Sequence, residues 1–299
     1  MHIIEDLKAL AGNSNVFENE PMNKHTTFRI GGNADVFVTP DTTEGLMSVV
    51  GYVKGNNIPY YIIGNGSNLL VKDRGFRGVI IQLYKNFADI EVEDNIVTAK
   101  AGALLSSVAK TAMNNSLSGM ECLSGIPGTI GGAICMNAGA YGGEMKDIVV
   151  ETRVINNGRL ETISNKDSEF GYRKSRIMAE NMIVVETTIR LEKGNKDEIQ
   201  AKMKELMLKR NEKQPVELPS AGSTFKRPEG YFAAKLIDDS GLRGFSVGQA
   251  QVSPKHCGFV VNNGGAAAKD VIELMDKVSQ VVYDKFGVKL EPEVRIIGE

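Results

Sequence analysis

Apolar residues recur three or four positions apart, the spacing of a helix face, in six stretches of the chain. The clearest stretch is 268–286, where Val271, Leu274 and Met275 share one face and Gly287 follows as a stop. The same spacing predicts further helices at 3–10, 42–54, 104–113, 197–211 and 232–237.

Apolar runs bounded by turn residues predict strands between these helices. The segment 90–100 alternates like a hairpin around Asp94-Asn95, and 26–40 predicts two strands joined by a turn at Gly31-Gly32. Further strands are predicted at 60–63, 79–83, 148–155, 182–191, 258–261 and 289–297. Because blocks of strands interrupt the alternation with helices, the pattern predicts an α+β fold rather than a doubly wound parallel sheet.

The segment 124–143, SGIPGTIGGAICMNAGAYGG, has an unusual composition. Seven of its twenty residues are glycine and none is charged. Glycine allows positive φ angles and close approach of the backbone to a ligand. A run of N–H groups beside glycine can also cradle an anion such as a pyrophosphate. The alternative is a buried, glycine-rich turn of a large sheet protein, and the segment alone leaves both interpretations open.

A second glycine loop, GNGSN at 64–68, directly follows the predicted strand 60–63. Leu69 stands where the dinucleotide-binding fingerprint needs its third glycine and no helical pattern follows, so a Rossmann fold is disfavoured. The sequence GxxxxGK[ST] occurs nowhere, which excludes a P-loop. Ser67 and Asn68 add side-chain donors to those of the backbone, which suits phosphate binding, and a plain strand-to-loop turn is the alternative.

Length and charge narrow the class of protein. The 299 residues suffice for two domains or three subdomains, and the proline-containing segment 214–219 is the predicted main boundary. With 35 Lys and Arg against 37 Asp and Glu, the net charge is −2 and no block of like charge stands out. We therefore expect no nucleic-acid partner and no polybasic membrane patch.

Targeting and metal signals are also missing from the sequence. No run approaches the ~20 apolar residues of a membrane span, and Glu5 and Asp6 interrupt the first apolar run, unlike a signal peptide. Three scattered cysteines fit neither a disulfide framework nor a CxxC site, and free thiols fit a reducing cytoplasm. His2, His25 and His256 form no HxH or HExxH pattern, so no metal site is expected.

Three polar side chains in glycine-rich or apolar surroundings are candidates for chemistry: Arg173, Ser223 and Glu293. Each has a structural alternative. Arg173 is equally suited to a surface salt bridge, Ser223 to a turn or helix cap, and Glu293 to an ion pair with Arg295. The nucleophile motif GxSxG is absent, so a hydrolase has little support.

Six motifs in register resemble one family. They are HTTFRIGG (25–32), IIGNGSNLL (62–70), SGIPGTIGGAICMNAGAYG (124–142), YRKSR (172–176), SAGSTFK (220–226) and LEPEVRIIG (290–298). Together they look like the UDP-N-acetylenolpyruvoylglucosamine reductases, FAD enzymes of peptidoglycan precursor synthesis. The resemblance implies a p-cresol methylhydroxylase-type FAD-binding region of two subdomains, 1–85 and 86–210. It also implies a C-terminal α+β substrate-binding domain, 219–299, whose last strand is free to return to the first subdomain.

The resemblance also implies roles for individual residues. The positions that match the family's catalytic residues are Arg173, Ser223 and Glu293. Those near its substrate groove are Tyr172, Lys226 and Arg227. The implied FAD-binding residues are Gly64, Asn65, Gly66, Ser67, Asn68, Leu69, Gly125, Gly128, Thr129, Gly131, Gly132, Asn137, Ala138 and Gly142. Only fifty positions separate Arg173 from Ser223, which resembles the shorter form of the family without a substrate-closing tyrosine-loop insertion.

The implied reaction is a cytoplasmic, NADPH-dependent and FAD-mediated reduction of the enolpyruvyl group of a UDP-sugar. Arg173 would stabilise developing negative charge, Glu293 would orient or polarise the carboxylate, and Ser223 would deliver a proton to C2. The alternatives are another FAD-dependent oxidoreductase of the superfamily and a non-catalytic flavin-binding module, but the intact trio favours the reductase. We interpret Cys135 as a core residue rather than a covalent flavin link, and His256 as a core or surface histidine.

Overall fold

A computed structural model describes residues 3–299 of the chain. These residues contain eight α-helices and nineteen strands. The helices are α1 (Ile3–Ala11), α2 (Thr43–Gly55), α3 (Leu105–Asn114), α4 (Ile130–Cys135), α5 (Arg176–Ala179), α6 (Lys196–Lys213), α7 (Ala233–Asp239) and α8 (Ala268–Phe286). The strands are β1 (Val16–Pro21), β2 (Asn33–Val38), β3 (Tyr60–Ile63), β4 (Leu69–Val71), β5 (Phe76–Gln82), β6 (Ile90–Glu93), β7 (Ile96–Lys100), β8 (Leu117–Ser118), β9 (Gly139–Ala140), β10 (Gly143–Glu144), β11 (Val149–Asn156), β12 (Arg159–Ser164), β13 (Ile183–Arg190), β14 (Glu192–Lys193), β15 (Ser220–Ser223), β16 (Ser246–Val247), β17 (Ala250–Val252), β18 (Phe259–Asn262) and β19 (Arg295–Ile297).

The described residues form two compact units, each assembled from three separate segments of the chain. Unit 1 consists of 3–18, Val36–Asn65 and Val79–Lys209. Unit 2 consists of Asn19–Asp35, Gly66–Gly78 and Arg210–Glu299. Each unit has its own apolar core. The division into 1–85, 86–210 and 219–299 stays a prediction.

Unit 1 is built on an antiparallel sheet of five strands in the order β12-β11-β13-β7-β6. The predicted hairpin is present as β6 and β7, and Asp94 at its turn has φ 52°, a left-handed conformation that Asp tolerates. Strand β13 lies at the centre of the sheet and buries Val185 and Ile189 in a core shared with Val108 of α3 and Ile134 of α4. A separate parallel pairing joins β3 to β5, and the glycine loop at 64–68 follows β3.

Unit 2 contains an antiparallel sheet of four strands in the order β15-β18-β17-β16. Helix α8 has the predicted bounds and ends at Gly287, whose φ of 67° is the conformation in which glycine ends helices. Val271, Leu274 and Val278 of this helix are buried in the core that also holds Val260 of β18. Strand β19 pairs in parallel with β4, and β4 is the strand that directly follows the second glycine loop.

Two predicted strands are wrong or too long. Residues 26–30 are a turn, in which the N–H of Arg29, at φ 56°, donates to the carbonyl of Thr26. Phe28 and Ile30 are both buried, and two buried residues separated by one position give the same alternating pattern as a strand. The last strand begins only at Arg295, after Pro292, which has no N–H to donate to a strand ladder. Helix α4 and strand β12 were not predicted.

Candidate active site

In unit 1, Gly64 and Asn65 lie against the glycine-rich segment 124–143. The side-chain amide of Asn65 donates to the carbonyl of Pro127 at 2.7 Å. Gln82 donates to the carbonyl of Gly64 at 3.0 Å. A Cβ placed on Gly64 would come within 2.2 Å of the Thr129 hydroxyl. The packing of the protein itself therefore requires glycine at 64, and the structure brings these predicted cofactor residues together.

The segment 125–132 presents backbone donors without a partner. The N–H groups of Gly125, Gly128, Thr129 and Gly132 donate to no other group in the described part of the chain. Backbone N–H groups are normally paired in folded proteins, so such a cluster is suited to an external acceptor. Gly132 is exposed, and the nearest atom to a Cβ placed there is the Thr129 hydroxyl at 3.8 Å. The protein therefore leaves room at this position for an approaching ligand.

The second loop offers the same kind of donor in unit 2. The N–H groups of Gly66, Ser67 and Asn68 donate to nothing within residues 3–299. Gly66 has φ 63°, and a Cβ there would lie 2.1 Å from the carbonyl oxygen of His25, so the loop cannot be built with another residue. Neutral N–H groups flanked by a hydroxyl and an amide fit the phosphates of a dinucleotide cofactor such as FAD.

Arg173 lies at the tip of a two-residue hairpin turn in unit 1. Gly171 and Lys174 form the base of the turn by exchanging backbone hydrogen bonds of 3.0 and 3.3 Å. Arg173 has φ 53°, and its guanidinium lies 5.0 Å from the centre of the Tyr172 ring. Stacking on the exposed tyrosine restricts the long arginine side chain. The predicted substrate residue and the predicted catalytic residue are thus neighbours in space as well as in sequence.

Asn137 and Glu144 anchor this hairpin. The buried Asn137 amide donates to the Glu144 carboxylate at 2.9 Å and to the Gly171 carbonyl at 3.2 Å, and its oxygen accepts from the Lys146 N–H at 3.0 Å. The Lys146 ammonium, the Asn137 amide and the charge of Arg173 together lower the pKa of Glu144. Asn137, predicted as a cofactor residue, therefore uses its side chain inside the protein. Glu144 was missed because nothing in the sequence connects it to Arg173.

In unit 2, Ser223 and Glu293 lie on paired backbone segments. The N–H of Glu293 donates to the Thr224 carbonyl at 2.8 Å, and the N–H of Lys226 donates to the Glu291 carbonyl at 2.9 Å. Ser223 is exposed at the end of β15. Residues that are seventy positions apart in sequence are thus held next to each other by an antiparallel pairing.

Asn68, in the second glycine loop (64–68), is bonded to the same pair of backbone segments. The side-chain amide of Asn68 donates to the Glu293 carbonyl at 3.1 Å, and the N–H of Arg295 donates to the Asn68 carbonyl at 3.0 Å. Both bonds lie within unit 2. A residue predicted to bind the cofactor is therefore in direct contact with one predicted to be catalytic.

The two predicted diphosphate ligands have partners of their own. Lys226 is half-buried and its ammonium lies 3.1 Å from the Glu291 carboxylate. Arg227 is exposed, and its guanidinium lies 4.9 Å from the centre of the Phe232 ring. Both cations follow Ser223 closely along the chain, so a bound anion there would meet two positive charges.

His256 has a structural environment. Its Nδ1 accepts the N–H of Gly258 at 3.1 Å, and its ring packs edge-on against Phe259 at 5.1 Å between centroids. Burial lowers the pKa of His256, which favours the neutral ring. These contacts of the partly buried ring are in line with its interpretation as a core or surface histidine.

Two kinds of feature are missing from residues 3–299. No group of three or more His, Cys, Asp and Glu side chains there is placed to hold a metal ion. No helix within the same range has the length and apolar character needed to cross a bilayer. His2 lies outside the described residues.

Known proteins resemble this chain over nearly its whole length. Residues 214–297 match the family described as UDP-N-acetylenolpyruvoylglucosamine reductase, C-terminal domain, and residues 34–164 match the FAD binding domain. A UDP-N-acetylenolpyruvoylglucosamine reductase of Clostridioides difficile (strain 630) is 54% identical over 281 residues, 94% of this chain and 92% of that protein. The chain belongs to the UDP-N-acetylenolpyruvoylglucosamine reductase family. A reductase of the same name from Caldanaerobacter subterraneus subsp. tengcongensis is 47% identical over 298 residues, covering 99% of this chain and 98% of that protein.

A solved structure supports the same assignment. The UDP-N-acetylenolpyruvylglucosamine reductase of Thermus caldophilus superposes with a TM-score of 0.81 at 36% identity, covering 95% of this chain and 98% of that one. The predicted family and the predicted α+β fold, with an FAD-binding part and a C-terminal domain, are therefore confirmed.

Proposed function

We propose that this reductase family member uses NADPH and FAD to reduce the enolpyruvyl group of UDP-N-acetylenolpyruvoylglucosamine. The product is the lactyl ether UDP-N-acetylmuramate, a precursor of peptidoglycan. The observation that carries the proposal is the contact of Asn68 with Glu293, because it joins the loop with unpaired N–H groups to an acidic residue. The cytoplasm, as expected from the free thiols and the nucleotide substrate, is the proposed location.

When bound, FAD supplies the hydride chemistry, taking a hydride from NADPH and giving it to the terminal vinyl carbon of the sugar substrate. The protein contributes binding. In unit 2 the unpaired N–H groups of Gly66, Ser67 and Asn68 are donors suited to cofactor phosphates, and in unit 1 those of Gly128 and Gly132 are donors of the same kind. The fit rests on neutral donors, so no metal ion or lysine is required to bind the pyrophosphate.

Arg173 and Ser223 complete the addition across the double bond. Hydride transfer to the vinyl carbon leaves an electron pair that spreads from C2 of the substrate into its carboxylate. The permanently charged guanidinium of Arg173 stabilises this charge. Ser223 donates its hydroxyl proton to C2 and takes one back from solvent, so that a hydride and a proton are added in total. A serine hydroxyl is a weak acid, which is why the enolate must be strongly basic and well positioned.

Four other residues are proposed to place the substrate or the guanidinium that acts on it. Glu293 orients the substrate carboxylate by hydrogen bonding, which requires that its own carboxyl is protonated or paired with a cation. Lys226 and Arg227 provide positive charge for the diphosphate of the UDP group. Tyr172 restricts the guanidinium by stacking against it.

The test follows the two half-reactions separately. We expect purified protein to be yellow, to be bleached by NADPH without oxygen, and to recover its colour when the enolpyruvyl UDP-sugar is added. Colour without bleaching would support a non-catalytic flavin-binding module. Bleaching without recovery would support another FAD-dependent oxidoreductase. Rapid-mixing absorbance of the flavin measures each step.

A further inference from the structure

Glu144 lies at the centre of a hydrogen-bond network that no role assigned above explains. Its carboxylate accepts one bond from the Asn137 amide at 2.9 Å and one from the Lys146 ammonium at 2.8 Å. It also begins a turn in which its N–H donates to the Asp147 carboxylate at 2.8 Å. The side chain is mostly buried, with 29% of its surface exposed. The carboxylate is thus held by two neighbours and the backbone of Glu144 by a third, which restricts the position of the side chain.

The network leads directly to the hairpin of Arg173. One N–H of the Asn137 amide donates to Glu144 and the other to the Gly171 carbonyl at 3.2 Å, so the amide bridges the carboxylate and the base of the hairpin. Asn137 is fully buried and has φ 42°. Few residues other than glycine adopt a positive φ. A buried amide N–H that loses its acceptor lowers the stability of the folded protein. The position of Gly171 therefore depends on Glu144 through a single residue.

Charge provides a second link. The pKa of Glu144 is lowered by Lys146 first, then by Asn137 and by the charge of Arg173. The carboxylate is thus anionic at neutral pH, and its interaction with the charge of Arg173 is favourable. Lys146, whose ammonium lies 2.8 Å from the carboxylate, has the larger effect on it, and Arg173 adds to that effect.

We propose that Glu144 is a positioning residue for Arg173. Through Asn137 it fixes the base of the hairpin, and through its charge it holds the guanidinium in the orientation that meets the developing charge of the substrate. The inference rests on the proposed function, in which Arg173 provides that stabilisation. Glu144 itself contacts neither substrate nor cofactor in this proposal.

Two substitutions separate geometry from charge. Glu144→Gln keeps an oxygen that accepts from Asn137 but removes the charge, whereas Glu144→Ala removes both. We expect flavin reoxidation by the enolpyruvyl UDP-sugar to slow about 10-fold in the first and about 100-fold in the second, since a small misplacement of a catalytic group has effects of this size. Bleaching by NADPH and flavin content should stay unchanged. Because Arg173 acts on the transition state, kcat and kcat/KM should fall together.

A readout independent of turnover is hydrogen exchange of the hairpin. The N–H groups of Gly171 and Lys174 are protected by their mutual bonds, so Glu144→Ala should expose both to faster exchange while Glu144→Gln leaves them protected. The matched control is Asp167→Asn, which alters another carboxylate of unit 1 that accepts from a neighbouring side chain, the Ser164 hydroxyl at 2.6 Å. This control should change neither exchange at the hairpin nor turnover.

A double-mutant cycle with Arg173→Ala tests whether Glu144 acts through Arg173. If Glu144 acts through Arg173, Glu144→Gln should cause no further loss in the Arg173→Ala background. Additive losses would overturn the positioning role. So would a wild-type reoxidation rate in Glu144→Gln, provided that Arg173→Ala is slow. A wild-type rate in Arg173→Ala would instead overturn the proposed function together with this inference. If Glu144→Ala fails to fold, the Glu144→Gln arm of the cycle still gives the answer.

Discussion

At Ser223 the hydroxyl is exposed, and it forms no hydrogen bond with any other group among residues 3–299. Replacing it by alanine should therefore leave folding intact. We expect Ser223→Ala to bleach with NADPH at the normal rate, because no proton donor for the substrate is needed in that step. Reoxidation by the enolpyruvyl sugar should slow by about 10²-fold or more. Rapid-mixing absorbance measures both steps, and an unaffected second step would exclude Ser223 as the acid.

Arg173 offers a complementary test at the residue scale. Lysine keeps the positive charge but loses the planar fork and the stacking on Tyr172. We expect Arg173→Lys to lose about 3 kcal/mol of transition-state stabilisation, about 10²-fold in the rate of reoxidation. Steady-state and single-turnover kinetics give the value. Wild-type turnover in this variant would remove Arg173 from the mechanism.

Cys257 is a thiol that should be inert. It is buried, and burial raises its pKa to about 11. A raised pKa means that the neutral thiol contributes stability below the unfolded-state pKa of about 8.5. That contribution is lost as the pH rises toward the folded value. We expect mass-spectrometric mapping of thiol labelling at pH 8 to find Cys257 modified only after denaturation. Fast labelling in the folded protein would contradict its burial.

The roles predicted for individual residues came from the resemblance to a family and not from the spacing of residues. Arg173, Ser223 and Glu293 were candidates from local composition, but each had an equally good structural interpretation. The link from Glu144 through Asn137 to the hairpin could not be predicted, because the bond of Asn137 to Gly171 joins positions 34 residues apart with no periodic pattern between them.

At the scale of elements, Gly132 in helix α4 is the informative glycine. Gly66 is not, since a Cβ there would collide with the carbonyl of His25 whether or not a cofactor is bound. At Gly132 the protein has room, so Gly132→Ala should fold and should gain about 1 kcal/mol of helix stability. We expect this variant to lose FAD nonetheless, because the added methyl group occupies the space of the ligand.

The matched control is Gly51→Ala in helix α2, where a Cβ would meet nothing within 4 Å. It should show the same gain in stability with full FAD content. Flavin absorbance per mole of protein and urea unfolding provide the two measurements. Equal flavin content in both variants would mean that helix α4 does not approach the cofactor.

A pair of threonines weakens the five-stranded sheet of unit 1. Thr152 of β11 and Thr187 of β13 lie directly opposite each other, both are fully buried, and neither hydroxyl has a hydrogen-bond partner among the described residues. A buried unpaired hydroxyl is destabilising. We expect Thr152→Val and Thr187→Val each to raise the free energy of unfolding by about 1 kcal/mol. As a control, Thr162→Val, at an exposed position of β12, should give no such gain in urea titrations. A loss of stability in Thr152→Val or Thr187→Val would mean that the replaced hydroxyl had a hydrogen-bond partner.

Elements were predictable where local pattern and final structure agree. The whole apolar face of helix α8 comes from one continuous segment of sequence, and the β6–β7 hairpin is specified by its own turn. The segment 26–30 was mispredicted because Phe28 and Ile30 alternate for a different reason. Both reach a core formed with residues near the end of the chain, which no local pattern reports.

At the scale of the whole molecule, the interleaving of the two units has no signal in the local sequence patterns. The predicted boundaries follow continuous segments, whereas each unit combines three. In unit 2, β19 near the end of the chain pairs in parallel with β4, the strand that follows the loop 64–68. A parallel pairing over this separation carries no turn signal in the sequence.

This interleaving leads to a prediction about a fragment that ends at Lys209. Such a fragment contains all of 34–164, the part that matches the FAD binding domain, and every described residue of unit 1. It nevertheless leaves Phe28, Ile30 and Leu70 without the partners from 210–299 that bury them in the core of unit 2. We expect the fragment to retain slow hydrogen exchange in the sheet of unit 1, to exchange rapidly at 19–35 and 66–78, and to bind no FAD.

The comparison is with the full chain under the same conditions, where 66–78 should be protected and flavin should be bound. A reconstitution arm adds the separately expressed segment 210–299 to the fragment. Recovery of colour together with protection at 66–78 would show that the missing residues act by completing the core. A yellow fragment in which 66–78 is already protected would contradict the prediction. In that case the loop of Gly66, Ser67 and Asn68 would be ordered without the contacts that Glu293 and Arg295 make with Asn68.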